Sequence, residues 1–133
     1  MQKLRNFAVR WGPAIVWMAV LFGASATPGE DLPTFGPFDF VVKKGGHMLG
    51  YAVLAILFRR ALGWERRPVM AAWLPAVMYA LVDEIHQSLV PERHPSIVDA
   101  LGFDGLGAAL GLLVSWLVYP GVTGTGGQQK QRS

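Results

Sequence analysis

Residues 79–107 read YALVDEIHQSLVPERHPSIVDALGFDGLG. Asp83, Glu84 and Gln87 stand close together, Arg93 follows, and Asp99 and Asp104 come next. A second group, KKGGHMLGY at residues 43–51, supplies Lys43, Lys44, His47 and Tyr51. Carboxylates beside histidine are the raw material of general acid–base chemistry, with Glu84 or Asp83 acting together with His47. Arginine and lysine in the same neighbourhood are the raw material of phosphate or carboxylate binding, with Arg93 and Lys43 or Lys44 on the anion. Each residue also has a plainer reading. His47 can fix helix packing, and Asp83, Glu84 and Gln87 can form a network that only specifies the fold. Arg93 can be a salt bridge to Asp83, Glu84 or Asp99. Ser96 and Asp99 fit the S-x-x-[DE] capping box before an apolar run. Tyr51 can sit at an interface, and Lys43 and Lys44 can be flanking anchors. His86 and His94 read as lying off the inward face or in the loop.

Spacing groups these residues. Lys44, His47 and Tyr51 fall at i, i+3, i+7, which is one helical face; Asp83 and Gln87 are i, i+4, and Glu84 and Gln87 are i, i+3. The face of Asp83 continues through Ala80, Ala76 and Ala72. Asp104, Gly107, Gly111 and Ser115 form another stripe of mostly small residues, and Gly46 and Gly50 a third. Small residues at this spacing let membrane helices approach closely. The polar groups therefore share faces with helix contacts and point into a bundle.

The elements that carry them are strongly apolar. The chain has 133 residues, is 52 % hydrophobic and 16 % charged, and contains no cysteine. Soluble domains carry about 25 % charged residues. Crossing about 30 Å of hydrocarbon takes about 20 helical residues. Four stretches qualify, roughly 8–26, 43–62, 68–90 and 97–119, and predict an all-α, four-helix membrane bundle over residues 1–120. Residues 26–40, rich in proline, read as a loop, and the polar, glycine-rich residues 121–133 as a disordered cytoplasmic tail. The compact soluble alternative fits poorly, because the stretches lack an amphipathic polar face.

Basic residues orient the bundle. Lys3, Arg5, Arg10, Arg59, Arg60, Arg66, Arg67, Lys130 and Arg132 fall on one side, and Lys43, Lys44 and Arg93 on the other. Both ends are then cytoplasmic, and the polar groups meet at the outer side. Ala24-Ser25-Ala26 resembles a signal-peptide cleavage site; the long apolar run before it favours an uncleaved first span. An ionised carboxylate at lipid depth is costly, faces the interior and marks a functional candidate. The expected site is an outer pocket with Asp83, Glu84 and Gln87 as floor, Arg93 as rim and Asp104 as opposite wall.

Other chemistries find little support. His47, Asp83, Glu84 and Asp104 include no His-x-x-x-His or Glu-x-x-His pair, so no metal and no other cofactor is expected. There is no glycine-rich phosphate loop, no Gly-x-Ser-x-Gly turn and no heptad pattern. The arginines at 59–67 read as a membrane anchor, and no nucleic acid is expected as a partner.

KKGGHMLGY followed by DEIHQSLVPERHPSIVDALGFDGLGAALG resembles the VanZ-like membrane protein family, linked to resistance to the glycopeptide teicoplanin. The family pattern places a basic residue, His and Tyr on one span, matched by Lys43 or Lys44, His47 and Tyr51. Asp-Glu-x-x-Gln is matched by Asp83, Glu84 and Gln87, and a Pro-x-Arg loop by Arg93. Ser96, Asp99, Asp104, Gly107 and Gly111 complete the resemblance, and SATPG at 25–29 is similar to the family's Ser-x-x-Pro stretch. The family often has Asn four residues after the first Asp of its last span; here Phe103 holds that position and Asp104 is one further on. The resemblance implies a multi-pass protein of a bacterial cytoplasmic membrane with an envelope-related role and supplies no reaction. Three functions follow as expectations. The pocket binds an amphipathic or anionic envelope ligand, such as a lipid-linked intermediate or a lipoglycopeptide, amid membrane lipids. Alternatively it is an acid–base enzyme acting on a lipid-linked substrate, or the polar cluster only joins helices. Oligomeric state stays open.

Overall fold

The computed structural model describes residues 1–64 and 69–119. The expected tail, and the charges at Glu65, Arg66, Arg67, Lys130 and Arg132, lie outside the described residues. The described chain is all-helical. Helix α1 covers Gln2–Ser25, α2 Asp39–Leu62, α3 Met70–Gln87 and α4 Ile97–Val118. The expected loop at 26–40 contains two single helical turns, Gly29–Asp31 and Gly36–Phe38, and α2 starts within it at Asp39.

Among the described residues three helices are long and apolar enough to cross a membrane, Gln2–Ser25, Gly36–Leu62 and Ile97–Val118, and not the four expected. The expected third span, 68–90, forms only the 18-residue helix Met70–Gln87. Asp83, Glu84, His86 and Gln87 at its end remove the apolarity that its first turns carry.

Helix α2 lies at the centre and packs on α1, α3 and α4. Pairings along its length give the helix directions. Lys44 meets Asp99, Met48 meets Gly107, Ala52 meets Gly111 and Arg59 meets Ser115, so α2 and α4 run parallel. Tyr51 meets both Asp83 and Tyr79, while Trp73 meets Gly105 and Glu84 meets Ser96, so α3 runs antiparallel to α4. Helix α1 runs beside α3, with Met18 at Tyr79 and Ser25 at Asp83.

Glycine sets how close α2 and α4 come. A Cβ on Gly111 would stand 2.5 Å from the carbonyl oxygen of Ala52 and 2.8 Å from its Cα. A Cβ on Gly107 would overlap the backbone of Met48 in the same way. The core holds Tyr51, Leu54, Ala55, Phe58, Ala72, Ala76, Ala80, Ala108 and Leu112. The outside is as apolar as the inside: Val16, Val20, Leu49, Leu74, Met78, Val82, Leu110 and Leu113 are all exposed. So broad an apolar surface fits lipid and not water.

Helix α1 is the loosest member, with only Ala14 and Ser25 buried. At the end of the bundle away from Asp83, Arg59 is buried rather than anchored at a surface. Its guanidinium donates to Ser115 Oγ (2.7 Å) and to the Tyr119 carbonyl (3.0 Å), and lies over the Trp64 ring.

Candidate functional site

The other end of the bundle gathers the remaining buried polar side chains among the described residues. The last residue of α1, the second to fourth turns of α2 and the end of α3 meet there. Asp83 is the hub. Its Oδ2 accepts hydrogen bonds from Ser25 Oγ (2.6 Å), Tyr51 OH (3.2 Å) and Gln87 Nε2 (3.2 Å). Gln87 Nε2 also donates to Ser25 Oγ (3.2 Å). Asp83 is only 2 % exposed, and its Oδ1 has no partner. A buried acceptor left unmade costs about 1–3 kcal/mol. One carboxylate is thus anchored on one oxygen and unsatisfied on the other.

Helix α4 brings a second buried carboxylate. Asp104, also 2 % exposed, stands 3.5 Å from His47 Nδ1, and its Oδ1 likewise has no hydrogen-bond partner. A local feature of the helix aims it there. Residues Ala100–Asp104 form a π-helical turn between the α-helical turn Ile97–Asp99 and the long α-helical stretch Gly105–Val118. Such a turn absorbs one extra residue and restores the phase of the helix beyond it. Asp104 therefore occupies the inward direction that a position four residues after Asp99 would take in a regular helix. Phe103 turns aside, edge-on to Phe40.

The other expected site residues are placed as follows. Glu84 is buried, and its Oε2 accepts the backbone N–H of Ser96 (2.6 Å), fastening α3 to the start of α4. Ser96 caps that helix, its Oγ accepting from the Asp99 N–H (3.3 Å). Asp99 forms an ion pair with Lys44, and Lys43 one with Asp39 (2.8 Å). Arg93 reaches none of Asp83, Glu84 and Asp99. Its Nε donates to the Thr27 carbonyl (3.0 Å) and its Nη2 to the Ala24 carbonyl (3.2 Å). With the Gly29 N–H bonded to the Pro91 carbonyl (3.2 Å), this latches the α1–α2 loop to the α3–α4 loop. His86 stacks on Phe22, and His94 is exposed in the loop.

Ser25 is the site member that residue spacing misses. Its position in the Ser-x-x-Pro stretch of SATPG is the signal that marks it, and the serine of that stretch donates the shortest of the three bonds to Asp83 Oδ2.

Two cavities open at this end. The larger, about 350 Å³, has a polar floor of Ser25, His47, Tyr51 and Asp83, apolar walls of Leu21, Leu32, Phe35 and Val42, and Lys43 and Arg93 at its side. The smaller, about 220 Å³, is charged, with Lys44, Glu84, Gln87, His94 and Asp99 among its lining. Lys43, His47 and Arg93 border both. Asp104 lines neither and stands behind His47, where it can hold the ring's orientation. Among the described residues no three His, Asp or Glu side chains gather as a metal site. Asp83 lines the larger cavity while its buried Oδ1 keeps an unused acceptor position, and His47, which lines both cavities, can pass a proton.

Comparison with curated proteins returned no match, and comparison with solved structures returned none either. The family model of VanZ/LLP1 matches residues 11–119. That match takes in α1 from Trp11 onward, the whole of α2, α3 and α4, and each residue of the polar cluster, and the chain belongs to the VanZ/LLP1 family.

Proposed function

We propose that this is a multi-pass protein of a bacterial cytoplasmic membrane, with both ends inside, that holds an amphipathic envelope ligand in the larger cavity. The observation that carries this reading is the make-up of that cavity. Its floor is polar and includes Asp83, whose buried Oδ1 has no hydrogen-bond partner, while its walls are apolar. A lipid-linked intermediate or a lipoglycopeptide combines both chemistries, and a role in glycopeptide susceptibility follows from holding one. The cationic groups favour an amphiphile over a simple anion. Lys44 is committed to Asp99, Lys43 to Asp39, and Arg93 spends two donors on backbone carbonyls.

In this reading α3 returns across the membrane as a fourth crossing. Support comes from the parallel course of α2 and α4: each crosses in the same direction, so the segment between them must come back. The 18 residues of α3 reach about 27 Å at 1.5 Å per residue, with its acids at the outer interface. The positive-inside pattern supports placing the cluster outside. Because the chain has no cysteine, single substitutions test this cleanly. Leu89→Cys labels with an impermeant maleimide on intact cells, and Leu4→Cys labels only after lysis. The reverse pattern refutes the orientation.

The ligand reading is tested by teicoplanin susceptibility of cells carrying wild type or Asp83→Ala at equal membrane abundance. A shift that disappears in the variant is expected. No difference between the two favours a cluster that only joins helices. An acid–base enzyme is the second reading, favoured by His47, which lines the cavity and is backed by Asp104. A bound lipid-linked compound recovered chemically unchanged after long incubation eliminates it.

A further inference from the structure

Helices α1 and α2 touch, and then part. At Gly50, which is buried, the Leu21 side chain closes in so far that an added Cβ would stand 2.8 Å from its Cδ2. At the same level Trp17 Nε1 donates to the Gly50 carbonyl (2.9 Å). One turn nearer the polar end, Gly46 lies on the same face of α2, is exposed, and has nothing within 4 Å of an added Cβ. Gly46 nonetheless lines the larger cavity, as does Val42 one turn further. The cavity is therefore open sideways, between the two helices that flank it, at the position where α2 has no side chain.

The volume says what can use that opening. About 350 Å³ lies at the low end of the range, about 300–1,000 Å³, of pockets that enclose a drug-sized ligand. A polar head group and the first methylenes fit; two long acyl chains do not. Chains attached to a head group on Asp83 must leave the cavity, and the side opening leads to the apolar outer surface where Val42 and Leu49 are exposed. The floor says which head group is chosen. Asp83 lines the cavity floor with Oδ2 engaged by three donors and its buried Oδ1 without a partner, so a donor that reaches Oδ1 is the group this floor retains.

We infer that the cavity takes the head group of a membrane lipid bearing an N–H or O–H donor, which enters sideways between α1 and α2 past Gly46 and bonds to Asp83 Oδ1. This deepens the amphiphile-binding reading and rests on it. The lipid's chains remain in the bilayer, and only its head turns inward. Gly46 is the residue that sets access.

The test uses the purified full chain, delipidated and offered equal amounts of dioleoyl phosphatidylethanolamine, phosphatidylglycerol and phosphatidylcholine, with retained lipid read by native mass spectrometry. The first presents N–H donors, the second hydroxyls and the third neither. Retention of either donor lipid at least fivefold over phosphatidylcholine is expected, and which of the two dominates identifies the donor. Asp83→Asn, with the amide oxygen kept toward Ser25 and Tyr51, turns a donor toward the cavity and erases the preference. Gly46→Leu lowers retention at least fivefold, while Gly45→Leu, equally open but not lining the cavity, leaves it unchanged. If Asp83→Asn does not fold, the comparison of Gly46→Leu with Gly45→Leu still decides. Equal retention of all three lipids, lost in Asp83→Ala, overturns the donor, and equal retention by Gly46→Leu and Gly45→Leu overturns the portal; either leaves amphiphile binding standing. No retention above that of Asp83→Ala, together with unchanged teicoplanin susceptibility in that variant, removes both.

Discussion

Gly111→Ala tests the contact that holds the site's two parallel helices together. The new Cβ would stand 2.5, 2.8 and 2.9 Å from the O, Cα and C of Ala52, whereas ordinary contact begins at 3.4 Å. All three are backbone atoms of α2, so no side-chain rotation relieves them. The helices must separate by about 0.9 Å at the carbonyl, from the difference of 3.4 and 2.5 Å. Overpacking of this kind costs about 1–3 kcal/mol. Alanine returns up to about 1 kcal/mol through its better helix propensity. With the full propensity gain the expected result is a net loss of up to about 2 kcal/mol. Gly45→Ala is the control, because nothing lies within 4 Å of its new Cβ; there the propensity gain stands alone. Reversible unfolding in mixed dodecyl maltoside and SDS micelles, followed by tryptophan fluorescence, measures both. Adding Gly107→Ala to Gly111→Ala should cost less than the sum, because the helices have already been moved apart. Equal stability of Gly111→Ala and Gly45→Ala would refute the close backbone approach and the helix pairing derived from it.

Four further perturbations have defined outcomes. Deleting Gly102 converts the π-helical turn to a regular one and keeps Asp104 facing His47, so it should change stability by less than about 1 kcal/mol, within the range of a mild substitution. Deleting Leu110 rotates everything after it and should abolish folding, as judged by the monodisperse fraction on size exclusion. Arg93→Lys cannot serve the Thr27 and Ala24 carbonyls together. Loss of one charge-assisted bond of about 1.5–3 kcal/mol should speed amide exchange in residues 26–32 by about tenfold or more. Arg59→Lys should likewise loosen only the far end, raising exchange at residues 115–119, because one ammonium cannot span Ser115 Oγ and the Tyr119 carbonyl.

Much of the fold is legible because apolar length dictates helix. The stretches expected at 8–26, 43–62 and 97–119 correspond to Gln2–Ser25, Asp39–Leu62 and Ile97–Val118. The third does not behave as the others, since the acids that make it interesting also shorten its apolar run. In the site, helical spacing was enough to put Asp83 with Gln87 and His47 with Tyr51, because i, i+3 and i+4 neighbours follow from helix geometry alone. Partners across helices were not legible. Lys44 meets Asp99 and Arg93 meets carbonyls because of how loops and helices dock, and no local spacing carries that information. Ser25 looked like part of a cleavage-site pattern until α1 and α3 were side by side.

The wide turn at Ala100–Asp104 also bears on how chains of this kind are lined up with one another. A helix that swallows one residue in this way gains length without turning its far half, so Gly107, Gly111 and Ser115 still face α2. Counting from Asp99, the inward carboxylate is one place late; counting back from Gly107, it is on time. A gap-free alignment to a chain without the extra residue would set Phe103 at the inward position that Asp104 occupies here. Residue roles in the last helix are better transferred by angular position around the axis, anchored on the glycines, than by distance along the chain.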